Sequence, residues 1–315
     1  MNEHPLRIFS GNANPELSRR ICDYLQLTPG DVHVGRFPDG ELDIKINEDV
    51  RGCDTYIVQS TCPPVNENLM EVLIMIDCFK RASATRISAV LPYYGYGRKD
   101  RKDEGRVPIT AKLVADLLTT AGVDRVLTID LHASQIQGFF NIPVDHLFAA
   151  PVLTEFLKKE NIPDLVIGSP DVGGIKMARA YAKVLGGGLA IVDKRRLDPR
   201  RAEVMNIIGE VKGKNIVLVD DLIATAGSIS EASFYLKEQG AKKIRVVATH
   251  PVLCGPALER IQRSPIEEII VTDSIPLTEE WRNQPNLKVL SIAPLLGEAI
   301  WRIHSNKSVS SLFVK

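Results

Sequence analysis

The chain has 315 residues, about twice the usual size of one domain, so two domains of roughly 150 residues each are expected. A hydrophobic fraction of 44% and a charged fraction of 25% exclude a disordered chain. The 39 Lys and Arg balance 39 Asp and Glu, which argues against a dedicated nucleic-acid binder, a class that carries a basic excess. No apolar stretch is long enough to span a bilayer, and the first residues, Met1 to Pro15, lack the apolar core of a secretory signal. Cys22, Cys53, Cys62, Cys78 and Cys254 are odd in number and have no CxxC spacing. They read as reduced thiols of a cytoplasmic protein, not as a disulfide framework or a zinc site. Cys62, beside Pro63 and Pro64, reads as a small buried hydrophobe in preference to a reactive loop thiol.

Short apolar runs predict strands at Leu6–Ser10, Thr55–Ser60, Arg86–Leu91 and Arg125–Asp130. Further runs follow at Leu165–Ser169, Gly188–Asp193, Asn215–Asp220, Lys243–Thr249, Glu268–Val271 and Lys288–Ser291. Most are continuous and not alternating, as in a parallel sheet buried on both faces. Glu41–Ile46 differs: Leu42, Ile44 and Ile46 alternate with polar residues, which predicts a half-exposed antiparallel strand. Helical periodicity marks Pro15–Leu25, Asn68–Lys80, Pro108–Thr120 and Ser228–Gln239, the last two stopping at Gly122 and Gly240. The alternation occurs in both halves, so two tandem open α/β domains with mostly parallel sheets are expected, covering residues 1–149 and 150–299. The tail, about 300–315, is apolar enough at Val309–Phe313 to dock, and the first domain is its expected seat.

The strongest local pattern is Asn215–Ser230, NIVLVDDLIATAGSIS. An apolar strand leads to Asp220 and Asp221, and a loop of small and hydroxyl residues, Leu222–Ser228, opens a helix. Ligands of open α/β sheets bind at the carboxyl ends of strands. Ala224, Ala226 and Gly227 let backbone N–H groups approach an anion, Thr225 and Ser228 add hydroxyls, and the helix N-terminus adds its dipole. The aspartates suit sugar hydroxyls, directly or through Mg²⁺. One phosphate and one diol together describe a pentose phosphate.

This segment resembles the phosphoribosyl-pyrophosphate motif of the phosphoribosyltransferase superfamily. Phe37-Pro-Asp-Gly-Glu41, Arg98-Lys-Asp-Arg-Lys102, Asp130-Leu-His-Ala133, Gln135-Ile-Gln-Gly-Phe-Phe140, Ser169-Pro-Asp-Val-Gly-Gly174 and Asp193-Lys-Arg-Arg196 narrow the resemblance to the ribose-phosphate pyrophosphokinases. It runs from Phe9-Ser-Gly-Asn12 to Ser308–Phe313 and implies two phosphoribosyltransferase-type domains. It also implies transfer of the β,γ-pyrophosphoryl group of MgATP to the C1 hydroxyl of ribose 5-phosphate.

The resemblance supplies residue roles. Lys194 and Arg196, expected on a loop just after a strand, stabilise the transferring phosphates. His132 and Asp171 match the magnesium site of the ATP phosphates. Phe37, Asp39, Gly40 and Glu41 match an adenine-recognition loop that reaches ATP from a neighbouring subunit, and Arg98 and Lys99 match ATP contacts. Asp220, Asp221, Ala224, Thr225, Ala226, Gly227 and Ser228 match the ribose 5-phosphate site. Arg51, Gln137, Asp145, Ser308, Ser310 and Phe313 match an allosteric site between the subunits of a hexamer, with phosphate as activator. Three departures stand out. Ala224 occupies a position where an aspartate is usual, Ala226 and Ser228 replace other small and hydroxyl residues, and Lys99 stands where glutamine is common. The first removes a polar contact to the pentose phosphate. Two other readings share the sugar-phosphate loop: a phosphoribosyltransferase that joins the sugar to a base, and a non-catalytic regulatory paralogue. The first does not need the Phe37–Glu41 or Lys194–Arg196 segments, and the retained catalytic residues weigh against the second.

Overall fold

A computed structural model describes residues 4–195 and 204–312. The chain divides into two compact units, one holding the residues up to Ala149 with Ser274–Pro276 and the segment from Ser291 onward, the other Ala150–Asp273 with Leu277–Leu290.

The first unit is built on β1 (Leu6–Ser10), α1 (Pro15–Leu25), β2 (Val32–Arg36), β3 (Leu42–Ile46), β4 (Asp54–Val58), α2 (Val65–Arg81), β5 (Arg86–Leu91), α3 (Thr110–Ala121), β6 (Arg125–Ile129) and β7 (Val144–Leu147). Strands β1-β4-β5-β6-β7 form one sheet in that order, parallel at every step. β4 is buried at all five positions, the double-faced burial that its unbroken apolar run implies. β2 and β3 pair antiparallel as a separate two-stranded ribbon. The α1 N-terminus is closed by Asn14, whose side chain accepts the Leu17 N–H, with Pro15 in the first turn. At the other end of α3, Gly122 takes φ +110° and returns its N–H to Leu118 and Thr119. Phe9, Val72, Met75, Ile76, Phe79 and Leu118 are sealed in this core. Cys62 is also buried, and burial pushes its thiol up to about 11, so it is the inert hydrophobe expected.

The second unit carries α4 (Ala150–Lys159), β8 (Leu165–Ser169), α5 (Ile175–Leu185), β9 (Gly188–Arg195), β10 (Val204–Ile208), β11 (Asn215–Ile223), α6 (Gly227–Glu238), β12 (Lys243–Pro251), α7 (Ala257–Arg263), β13 (Glu268–Thr272), α8 (Glu279–Arg282) and β14 (Leu287–Leu290). Its sheet runs β10-β9-β8-β11-β12-β13-β14 and is parallel except for the edge pair β10–β9. On α6, Ile229, Ala232 and Leu236 turn one face into the core.

Of the differences from expectation, two strand ends and one boundary matter most. β9 continues past Asp193, because Lys194 and Arg195 pair with Met205 and Val204 of β10; Lys194 therefore lies in a strand, not on a loop. β11 continues past Asp220, because the long β12 offers it partners as far as Pro251. The second domain does not extend to residue 299. The last helix, α9 (Ala293–His304), belongs to the first unit. It packs against α1, with Leu296, Ala299, Ile300 and Ile303 buried. Gly297 permits the approach: a Cβ there would stand 2.5 Å from the Tyr24 ring. The helix is then fastened to the buried carboxylate of Asp54. Arg86 Nε donates to Asp54 Oδ1 at 2.8 Å, and His304 Nδ1 lies 2.8 Å from Asp54 Oδ2.

Removing that carboxylate charge leaves a largely enclosed guanidinium without its partner. Asp54→Asn is expected to lower stability by about 2–3 kcal/mol in guanidinium denaturation, since Arg86 keeps some contact with water. A loss under about 0.5 kcal/mol, the size of a surface substitution, would mean that apolar packing alone retains α9.

Candidate functional site

In the second unit, β8 and β11 are parallel neighbours, so the segments that follow them leave the same edge of the sheet. β11 is buried from Asn215 to Val219 and opens to half-buried at Asp220, Asp221 and Leu222. The Asp220 carboxyl is pushed from its ordinary 3.8 up to about 8. Loss of water is the largest cause, followed by the adjacent Asp221 and then Asp171, partly offset by the Asp221 N–H, which donates to Asp220 Oδ1 at 2.9 Å. Three carboxylates from two strand ends therefore share one field and favour a cation or a set of hydroxyl donors.

Beyond the carboxylates the backbone turns to the opposite polarity. Ala226 adopts φ +57°, and α6 begins at Gly227 with no side chain capping its first N–H groups. Those N–H groups and the helix dipole form an anion cradle. The cradle is tied from below. Leu253 N–H donates to Ile223 O at 2.8 Å and Cys254 N–H to Ala224 O at 3.0 Å. Arg260 Nη1 donates to Thr225 O at 3.0 Å. A Cβ on Gly227 would stand 3.2 Å from that guanidinium nitrogen. Asp171 follows β8 in an exposed turn, where its Oδ1 accepts the Gly174 N–H at 3.1 Å and Ser169 Oγ donates to its carbonyl at 2.6 Å. Gly174 admits no side chain, because a Cβ would meet Ser169 Oγ at 2.5 Å.

The first unit gathers a second group of expected residues. Phe37, Asp39, Gly40 and Glu41 form the tip of the β2–β3 ribbon. Phe37 N–H donates to Glu41 O at 2.8 Å, Gly40 N–H to Phe37 O at 2.9 Å, and Glu41 N–H to Asp39 Oδ1 at 3.1 Å. Gly40 sits at φ +95°, where a side chain is disfavoured. The Phe37 ring is 49% exposed, an aromatic face held out by a closed loop. Arg98 and Lys99 are exposed on the segment after β5, and Lys99 Nζ pairs with Asp103 at 3.1 Å. Gln135 Nε2 donates to Asp100 at 2.6 Å, which joins this segment to the one that carries His132 after β6.

The expected allosteric residues are scattered over the first unit. Arg51 is exposed in a turn, Gln137 lies in a 3-10 turn (Ser134–Phe139), and Asp145 pairs with Arg125 on β7 at 2.6 Å. Among the described residues only Ser308 and Ser310 are bonded to each other, Ser310 N–H to Ser308 Oγ. Arg196 and Phe313 lie outside the described residues.

The family model for the N-terminal domain of ribose phosphate pyrophosphokinase matches residues 6–122, and that for the phosphoribosyl synthetase-associated domain matches residues 191–314. A ribose-phosphate pyrophosphokinase of Gloeobacter violaceus is 56% identical over 314 residues, 99% of this chain and 94% of its own. One from Rhodopirellula baltica is 58% identical over 311 residues, 98% of each chain. The chain belongs to the ribose-phosphate pyrophosphokinase family. A solved phosphoribosylpyrophosphate synthetase from Mycobacterium smegmatis superposes with a TM-score of 0.91 at 44% identity, covering 96% of this chain and 99% of that one. The two mostly parallel α/β units are thus the fold of a ribose-phosphate pyrophosphokinase, as the sequence patterns led one to expect. The sequence singles out the Leu222–Ser228 loop but gives no sign of Arg260, 35 residues away from Thr225 in the chain. Only the third dimension reveals that brace.

The raised Asp220 pKa has a thermodynamic sign. An acid that ionises near 3.8 when unfolded and near 8 when folded withdraws stability from the native state as pH rises between those values. Asp220→Asn removes the penalty. It is expected to stabilise the ligand-free protein by about 1–3 kcal/mol at pH 8. Near pH 4.5 thermal denaturation should show little gain. A pH-independent difference would contradict the shift.

Proposed function

We propose that this enzyme transfers the β,γ-pyrophosphoryl group of MgATP to the C1 hydroxyl of ribose 5-phosphate, giving 5-phosphoribosyl 1-pyrophosphate and AMP. The observation that carries the reading is the pairing, at one sheet edge, of a charge-crowded carboxylate pair with an uncapped helix start, inside a chain of this family. The N–H groups of Thr225 to Ser228 hold the 5-phosphate, and Asp220 and Asp221 accept from the ribose hydroxyls. Ala224 contributes only backbone.

The C1 oxygen forms a bond to the β phosphorus, and the bond from that phosphorus to the AMP oxygen breaks. Such a transfer needs alignment and charge stabilisation more than covalent help. Lys194 places its positive charge where negative charge develops on the transferring phosphate oxygens, and Arg196 shares that role. Phe37 offers its face to adenine, Asp39, Gly40 and Glu41 shape the loop around it, and Arg98 and Lys99 bind ATP. His132 and Asp171 serve the ATP phosphates and their metal.

The acidic oxygens of Asp171, Asp220 and Asp221 suit Mg²⁺, a hard cation. Among the described residues no three His, Cys, Asp or Glu side chains form a metal cage. That fits an ion held by one or two carboxylates together with phosphates and water. When bound, Mg²⁺ neutralises phosphate charge. Activation by phosphate, an ADP-type allosteric site at Arg51, Gln137, Asp145, Ser308, Ser310 and Phe313, a hexamer with the ATP site shared between subunits, and a cytoplasmic location complete the reading. No helix among the described residues is long and apolar enough to cross a membrane.

Purified protein given MgATP and ribose 5-phosphate should release AMP and 5-phosphoribosyl 1-pyrophosphate in equal amounts, and only with both substrates. Release of ADP would replace this mechanism with ordinary phosphoryl transfer. Lys194→Ala is expected to lower kcat by about 10²-fold or more with a nearly unchanged KM for ATP, because its contact is made in the transition state. Ala224→Asp should lower the KM for ribose 5-phosphate; an unchanged KM would show that the missing carboxylate is compensated by other groups.

A further inference from the structure

His146 lies on β7 and is 7% exposed. Nothing in the reading above uses it, yet it faces the segment that carries His132. β6 stops at Ile129, and Asp130 takes φ +41°, a left-handed conformation that aspartate adopts more readily than most side chains. That turn lifts the chain out of the sheet ladder, and the buried Leu131 N–H must find an acceptor elsewhere. His146 Nε2 accepts it at 2.9 Å. The hydrogen bond fixes the tautomer: Nε2 is bare and the ring proton sits on Nδ1. The Phe148 ring, 4.6 Å away centre to centre, orients the imidazole. Two further bonds fasten the same spot. Asp130 N–H donates to Leu147 O at 3.0 Å, and Asp130 Oδ2 accepts the Ala149 N–H at 2.9 Å. Three bonds therefore clamp residues 130–131 onto residues 146–149, and the next residue, His132, is exposed.

We propose that His146 is a positioning residue for the ATP phosphates, acting through the Leu131 N–H to set where His132 presents its imidazole. The proposal rests on the role given to His132 above. A displacement of about 1 Å in such a group is enough to cost up to 10²-fold in rate. A histidine that merely fills the core would instead affect stability and leave each KM alone.

The test is steady-state kinetics on the full chain with MgATP and ribose 5-phosphate, comparing His146→Phe, His146→Gln, His132→Ala and the His132→Ala/His146→Phe double variant. Phenylalanine fills the space but accepts nothing, whereas the glutamine Oε1 reaches the place of Nε2. His146→Phe is expected to raise the KM for MgATP about 10-fold or lower kcat/KM for MgATP by 10–100-fold, with the KM for ribose 5-phosphate within about twofold of wild type. His146→Gln should recover most of the loss. The double variant should be little worse than His132→Ala alone, because residues that act as one unit are not additive. Should His146→Phe be recovered poorly, His146→Leu against His146→Gln carries the same comparison. Equal loss toward both substrates, no rescue by glutamine, or multiplying effects in the double variant would overturn the positioning role. Wild-type ATP kinetics in His132→Ala would overturn the underlying reading of His132, and the proposal with it.

Discussion

A parallel sheet can be left only one way. Every strand hands its chain to the next helix at its carboxyl end, so the turns, the helix N-termini and whatever side chains ride on them collect along one edge. In the second unit that constraint sets the acidic ends of β8 and β11 beside the uncapped start of α6. Negative side chains and positive backbone groups are thereby held apart but adjacent along that edge. The fold accepts an unfavourable carboxyl at Asp220 to keep this arrangement. It can do so because the five preceding residues of β11 are sealed in the core, and stability of that kind is commonly traded for function.

The supports of the site matter as much as its contact groups. Ala224 carries no carboxylate, and its carbonyl accepts the Cys254 N–H, so the loop is held there by backbone alone. Lys99 is engaged with Asp103 in an exposed pair, an interaction that contributes little in water. Arg260 and His146 play parallel parts in the two units: each grips the backbone of a loop instead of reaching outward.

Legibility followed the range of the forces involved. The strands buried on both faces were plain, because hydrophobic burial writes an unbroken apolar run. β7 and β2 were not: each is short, half-polar and defined by its partner. The ends of β9 and β11 were misplaced for the same reason, since β10 and β12 decide where pairing stops. Asp220 to Ser228 was readable because its chemistry is contiguous. The clamps on it and on the His132 segment are single residues distant in sequence, without periodicity to betray them. The return of α9 to the first unit was equally hidden, since its apolar stripe fits either core.

That return has a consequence for how the molecule is made. The first 149 residues leave the ribosome well before α9, and domains generally fold as they emerge. The first unit must therefore wait, with the groove beside α1 and the carboxylate of Asp54 unfilled, while the whole second unit is synthesised and free to fold. Completion of the first unit is gated by the arrival of α9, so a chain cut off before that helix would spoil the unit encoded ahead of it.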